Sequence, residues 1–132
     1  MADELLRQRI NGLTEKIIGC GIEVHEHLGP GLLESAYEEC LCFELSQIGI
    51  RLEHQVPLPV NYKCINLDCG YKMDIVVEDL VILELKAVER IIPVYEAQLL
   101  SYLKLYDKRV GLLLTFHVPR LRDGLKRIVN NF

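Results

Sequence analysis

The sequence has no long apolar run, no excess of positive charge and no paired-cysteine motif. Each absence excludes something. The longest apolar stretch, around Val110 to Phe116, is strand-length and falls short of the roughly 18 residues that span a bilayer, so no membrane partner is expected. The N-terminal MADELLRQRI lacks the apolar segment of a secretory signal, and the expected compartment is the cytoplasm. The five cysteines (Cys20, Cys40, Cys42, Cys64 and Cys69) are odd in number and form no CxxC. They predict neither a disulfide framework nor a zinc site. His25 and His27 would point about 200° apart on a helix and cannot share a metal there. Gly29-Pro30-Gly31 is not a phosphate loop, because no Gly-Lys-Ser/Thr follows it at the needed spacing. No repeat, low-complexity tract or linker interrupts the chain.

What is present is a chain of 132 residues, 50% hydrophobic and 26% charged, with a net charge of −4. Its mean hydropathy is +0.17. That composition excludes global disorder, and the length predicts one domain over residues 1–132. The charge is graded. Residues 1–60 hold 10 acids against 4 bases, and residues 101–132 hold 2 acids against 7 bases. The basic end reads either as a phosphate-facing patch or as a solvated helix face.

Apolar spacing of three and four from Leu13 through Ile17, Cys20, Val24 and Leu28 predicts an amphipathic helix. Gly19 and Gly21 would let it pack closely, and Gly29-Pro30-Gly31 ends it. A second helix is predicted over Leu33 to Ile48. The period then changes. Arg51 to Val60 reads as a strand that Pro57 and Pro59 restrict to an edge or a bend, and Tyr62 to Leu67 as a further strand. Lys72 to Val77 and Val81 to Lys86 read as a hairpin. Pro93 opens a third helix, Arg109 to Phe116 is a buried strand, and Arg120 to Val129 is predicted as a final amphipathic helix. The order predicts an α/β sandwich with a mixed sheet.

The hairpin carries the informative charges. Alternation puts Glu84 and Lys86 on one face of their strand and Val81, Leu83 and Leu85 on the other. A turn of odd length, such as Glu78-Asp79-Leu80, would place Asp74 across from Glu84, whereas a two-residue turn would put the two carboxylates on opposite faces. Facing carboxylates ~5 Å apart repel. A hard divalent cation would resolve that conflict, and Lys86 could then orient an attacking water or offset charge on a phosphate. An exposed Lys–Glu surface pair without metal is the plainer reading of the same residues.

The run Gly31-Leu32-Leu33-Glu34-Ser35-Ala36-Tyr37 fits a GxxExxY signature. Together with Asp74, Glu84-x-Lys86 and Gln98-x-x-x-Tyr102, it makes the chain resemble the GxxExxY family, a branch of the PD-(D/E)XK nuclease superfamily, from about Ile10 to Val129. The literal Pro-Asp is absent, since Met73 precedes Asp74. The resemblance implies a restriction-endonuclease-like core, a mixed β-sheet flanked by α-helices. It implies that Asp74, Glu84 and the Leu85 carbonyl ligate Mg²⁺ or Mn²⁺, and that Lys86 positions or activates water. Glu34 would join as a further ligand or base, and Gln98 would approach from the following helix. Tyr37 and Tyr102 would brace Glu34 and Gln98 or simply pack in the core. Lys72, Arg90, Lys104 and Lys108 are candidate phosphate contacts. The implied function is metal-dependent hydrolysis of nucleic acid, DNA ahead of RNA, with a homodimer possible. The alternative on the same fold is a catalytically weak or inactive nucleic-acid-binding or protein-interaction module.

Overall fold

The computed structural model describes residues 2–132. Its elements, in chain order, are α1 (Ala2–Leu28), α2 (Glu34–Gln47), β1 (Leu52–Pro57), β2 (Val60–Tyr62), β3 (Ile65–Leu67), β4 (Lys72–Val77), β5 (Val81–Lys86), α3 (Pro93–Tyr106), β6 (Val110–Thr115) and β7 (Leu125–Val129). A 3-10 turn at Leu121–Gly124 precedes β7. The main sheet runs β1-β4-β5-β6-β7, and β2 pairs only with β3 in a separate ribbon. Pairing is parallel between β5 and β6 and antiparallel elsewhere. This is an α/β fold with a mixed sheet flanked by helices, of the restriction-endonuclease-like kind.

Both sheet faces are covered. Val81, Leu83 and Leu85 of β5 point into a cluster with Ile10, Ile17 and Leu41 of the first two helices. Ile82 points the other way, into a cluster with Leu99, Tyr102 and Leu103 of α3. That double burial explains why every residue of β6 is buried, since a central parallel strand reads as a continuous apolar run. Gly21 packs closely: a Cβ there would come within 2.9 Å of Leu121 Cδ2 and 3.1 Å of Leu114 Cδ2, so those side chains would have to shift. Gly19 faces open space and has no such role. The turn after α1 needs its glycines, because Gly29 and Gly31 adopt φ of +67° and +104°. No helix among the described residues is long and apolar enough to cross a membrane.

The structure corrects the sequence reading in two places. Residues Arg120 to Val129 do not form a helix but the 3-10 turn and β7. Leu125 and Ile128, three apart, would share a helix face, but in β7 they lie on opposite faces, Leu125 toward the α1 side and Ile128 toward the α3 side. The exposed edge of β6 decides the outcome, since its main-chain groups need a partner strand. Likewise Arg51 to Val60 and Tyr62 to Leu67 are not two long strands. Pro57 and Pro59 end β1, and the chain turns back at Lys63-Cys64 to form the β2–β3 ribbon.

Candidate active site

The turn of the β4–β5 hairpin is the three-residue Glu78-Asp79-Leu80, which sets Val77 opposite Val81, Val76 opposite Ile82 and Ile75 opposite Leu83. Extending that register by one residue puts Asp74 opposite Glu84. The regular ladder stops there, and the side chains take its place. The Asp74 N–H donates to Glu84 Oε2 at 2.9 Å, and the Leu85 N–H donates to Asp74 Oδ2 at 2.8 Å. Each carboxylate thus satisfies a main-chain donor that the diverging strands leave open.

Burial dominates the electrostatics of this pair. It pushes both carboxyls up, Asp74 to about 6 and Glu84 to about 8. For Glu84 the Asp74 charge raises it further, while the Asp74 N–H and Lys86 oppose the rise. For Asp74 the Leu85 N–H acts against burial, and Glu38 and Glu34 add to it.

The other candidates fall into three groups. Lys86 and Gln98 join the site: Lys86 Nζ donates to Gln98 Oε1 at 3.2 Å and lies 5.1 Å from the centre of the Tyr95 ring. Glu34 closes the open end of β5, accepting from the Ala87 N–H at 3.2 Å. Tyr102 is buried beside the pair, and burial together with the Glu84 charge raises its phenol.

Tyr37 does something other than brace Glu34. It is fully buried, stacks on Phe116 with ring centres 4.2 Å apart, and ties the turn that starts α2. Its hydroxyl donates to Gly29 O at 2.7 Å and accepts from the Leu32 N–H at 3.0 Å.

The proposed phosphate contacts divide. Lys72 lies at the start of β4, two residues before Asp74, and Arg90 follows β5. Both are exposed and make no ion pair among the described residues. Lys108 is spent elsewhere: it pairs with Asp79 at 3.1 Å, at the turn end of the hairpin. Lys104 is exposed on α3, about 9 Å along the helix axis from Gln98. The basic C-terminal stretch is also not one free patch. Arg109 donates to Asn131 O, Arg127 to Thr14 and Asn11, and Lys126 pairs with Glu96.

Two neighbours of the site escaped sequence reading. Glu38 lies one helical turn after Glu34, accepts from Gln55 Nε2 at 2.8 Å and 3.1 Å, and raises the Asp74 carboxyl. Tyr95 lies three residues before Gln98 on α3. The i, i+4 and i, i+3 spacings were the available signals.

The donor set fits a hard divalent cation. No cluster of three or more His, Cys, Asp and Glu side chains arranged to hold a metal occurs among the described residues, but Mg²⁺ binds through one or two carboxylates and retains its waters. Asp74 Oδ1 and Glu84 Oε1 make no hydrogen bond to the described residues, each carboxylate having used its other oxygen. The Leu85 carbonyl points toward β4 with its own N–H, because both groups of a strand residue face the same neighbour.

Comparison with protein families matches residues 11–128 to the PD-(D/E)XK nuclease superfamily. No curated protein and no solved structure gives a significant match.

Proposed function

The chain belongs to the PD-(D/E)XK nuclease superfamily, and from that premise we propose that it hydrolyses phosphodiester bonds in nucleic acid with the help of Mg²⁺ or Mn²⁺. The observation that carries this reading is the pair of desolvated carboxylates on neighbouring strands, with Lys86 on the same face of β5. Asp74 and Glu84 would hold the cation, with the Leu85 carbonyl as a neutral donor. Such a cation, when bound, polarises a phosphate and acidifies a water.

The remaining work falls to the chain's own groups. Lys86 orients the attacking water and offsets charge building on the phosphate. Gln98 and the Tyr95 face hold that ammonium in place. Glu34, at the rim, offers a further acidic oxygen. Tyr102 and the apolar α3 face keep bulk water from the inner side of the pair, which strengthens each interaction there. Lys72 and Arg90 remain free to meet phosphates on either side of the scissile bond.

The test is cleavage of labelled single-stranded, duplex and branched DNA, and of RNA, with and without Mg²⁺ or Mn²⁺. Metal-dependent cleavage lost in Asp74→Ala, Glu84→Ala and Lys86→Ala is the expected result. Equal activity in the parent and all three variants would trace the cleavage to a contaminant. Folded parent protein that binds no cation by calorimetry and cuts nothing would leave the fold serving as a binding module.

A further inference from the structure

The β2–β3 ribbon leaves most of its apolar face uncovered. Its register sets Val60 opposite Leu67, Asn61 opposite Asn66 and Tyr62 opposite Ile65. Alternation then places Val60, Tyr62, Ile65 and Leu67 on one face and both asparagines on the other. On that apolar face Tyr62 is 56% exposed, Ile65 51% and Leu67 41%. An isolated two-stranded ribbon is marginal in water, and leaving its apolar side bare removes the usual reason to form it.

The root of the ribbon is nevertheless anchored, and the anchor is beside the candidate site. Leu58, at its root, is only 2% exposed and packs with Met73 and Tyr102. The Leu58 N–H donates to Tyr71 O at 2.9 Å, closing the root. Pro57 and Pro59 flank that anchor and stiffen it. Tyr71, 47% exposed, meets Tyr102 edge-on with ring centres 6.2 Å apart. Lys72 follows Tyr71, and Asp74 lies two residues further on. The tip carries Lys63, whose ammonium lies 5.3 Å from the centre of the Tyr62 ring.

We propose that the ribbon and Tyr71 form a stacking arm for unpaired nucleic-acid bases next to the scissile phosphate. This rests on the nuclease reading and adds a substrate class to it: single strands or unpaired segments. Aromatic faces flanked by amines bind single strands through base stacking and phosphate contact. A duplex offers no such faces, because its bases already stack on one another. Tyr62 and Tyr71 supply the faces, and Lys63 and Lys72 the amines. A protein partner would also cover an apolar ribbon. Continuity with the catalytic carboxylates, through Tyr71, Tyr102 and Lys72, favours the substrate.

The experiment measures binding of a fluorescent oligothymidylate, and of a duplex of equal length, in EDTA at low salt, and separately their cleavage with Mg²⁺ or Mn²⁺. It compares the parent with Tyr62→Ala and Tyr62→Trp. Tyr62 is exposed, so neither change threatens the fold, and unchanged melting curves would verify this. Tyr62→Ala is expected to weaken single-strand binding by roughly fivefold to a hundredfold. Tyr62→Trp should restore it, and duplex binding should change far less. A parent that binds and cuts single strands while Tyr62→Ala does both equally well would overturn the arm and leave the nuclease reading standing. Equal losses on both nucleic acids would overturn the preference for unpaired bases. A parent dimer that Tyr62→Ala converts to monomer, with strand binding unchanged, would reassign the ribbon to a protein interface. A parent that neither binds nor cuts any strand would remove both readings together.

Discussion

At the turn end of the β4–β5 hairpin, Glu78 accepts the Arg51 main-chain N–H at 2.6 Å and faces the guanidinium groups of Arg51 and Arg9, each at 3.4 Å. These donors hold its carboxyl below the usual range. At the open end, Asp74 and Glu84 receive one main-chain N–H each, face one another and lie largely out of water, and both carboxyls are pushed up. The two ends share a sheet and a residue type. They differ in how many positive donors meet each carboxylate, and Glu84 is buried deeper than Glu78. A turn can spend charge on holding its shape. A desolvated carboxylate pair with few positive partners gains most from a further positive charge, which is the condition a cation site requires.

The sharpest way to break this comparison is to remove Lys86, whose charge opposes the rise of both carboxyls at the open end. Lys86→Ala is expected to slow metal-dependent cleavage by roughly 10²- to 10³-fold, the span for loss of one group that stabilises developing charge. It should leave the urea midpoint close to that of the parent. Single-turnover kinetics and urea melts together check this, and a large loss of stability would make Lys86 a structural residue.

The reverse dissociation is expected at Leu83, which is fully buried between the two ends. Leu83→Ala should cost about 2–5 kcal/mol in urea unfolding.

The pH dependence of the metal-free protein follows from the raised carboxyls. In the unfolded chain Asp74 and Glu84 titrate near 3.8 and 4.5, and in the folded protein near 6 and 8. Between those limits the folded state holds more protons, so its stability falls as pH rises from about 4 to about 8 and then levels. Glu84→Gln should flatten that slope and raise the urea midpoint at pH 8, and saturating Mg²⁺ should flatten it in the parent. A parent midpoint that climbs steadily from pH 5 to pH 8, unaltered in Glu84→Gln, would remove the picture of a desolvated pair.

The smallest effect belongs to the turn. Glu78 has a lowered carboxyl, so its contribution is present above the unfolded value near 4.5 and fades below it. Glu78→Gln should therefore lower the midpoint slightly at pH 7 and not at pH 3, with cleavage unaffected. This sign is opposite to that expected for Glu84→Gln, and the pair of variants measured side by side is the cleanest test of the contrast.

Much of the site was legible in the sequence. Strand alternation alone put Glu84 and Lys86 on one face, and the ordered motif from Glu34 to Gln98 pointed to the superfamily. The rest depended on partners distant in sequence. Glu38 reads as an ordinary exposed helix acid until α2 is laid against the sheet. Tyr37 stands one turn from Glu34, so the sequence invited a contact between them, but Phe116 and the Gly29–Leu32 turn claim the ring and its hydroxyl. Lys108 looks free until Asp79 is brought to it.

The sequence by itself determined the local periods: which residues of β5 face which way, where proline and glycine stop α1 and β1, and which residue types can ligate a hard cation. Those are properties of neighbours along the chain, fixed by backbone geometry. Three matters were left to the tertiary structure. The register across the β4–β5 turn depends on a loop whose length the sequence permits but does not enforce. The conversion of the last segment from helix to strand depends on the unpaired edge of β6. The desolvation of Asp74 and Glu84 depends on α3 closing over the sheet. Each is a contact between segments, and its energy comes from burial and hydrogen bonding that no single stretch of chain can supply.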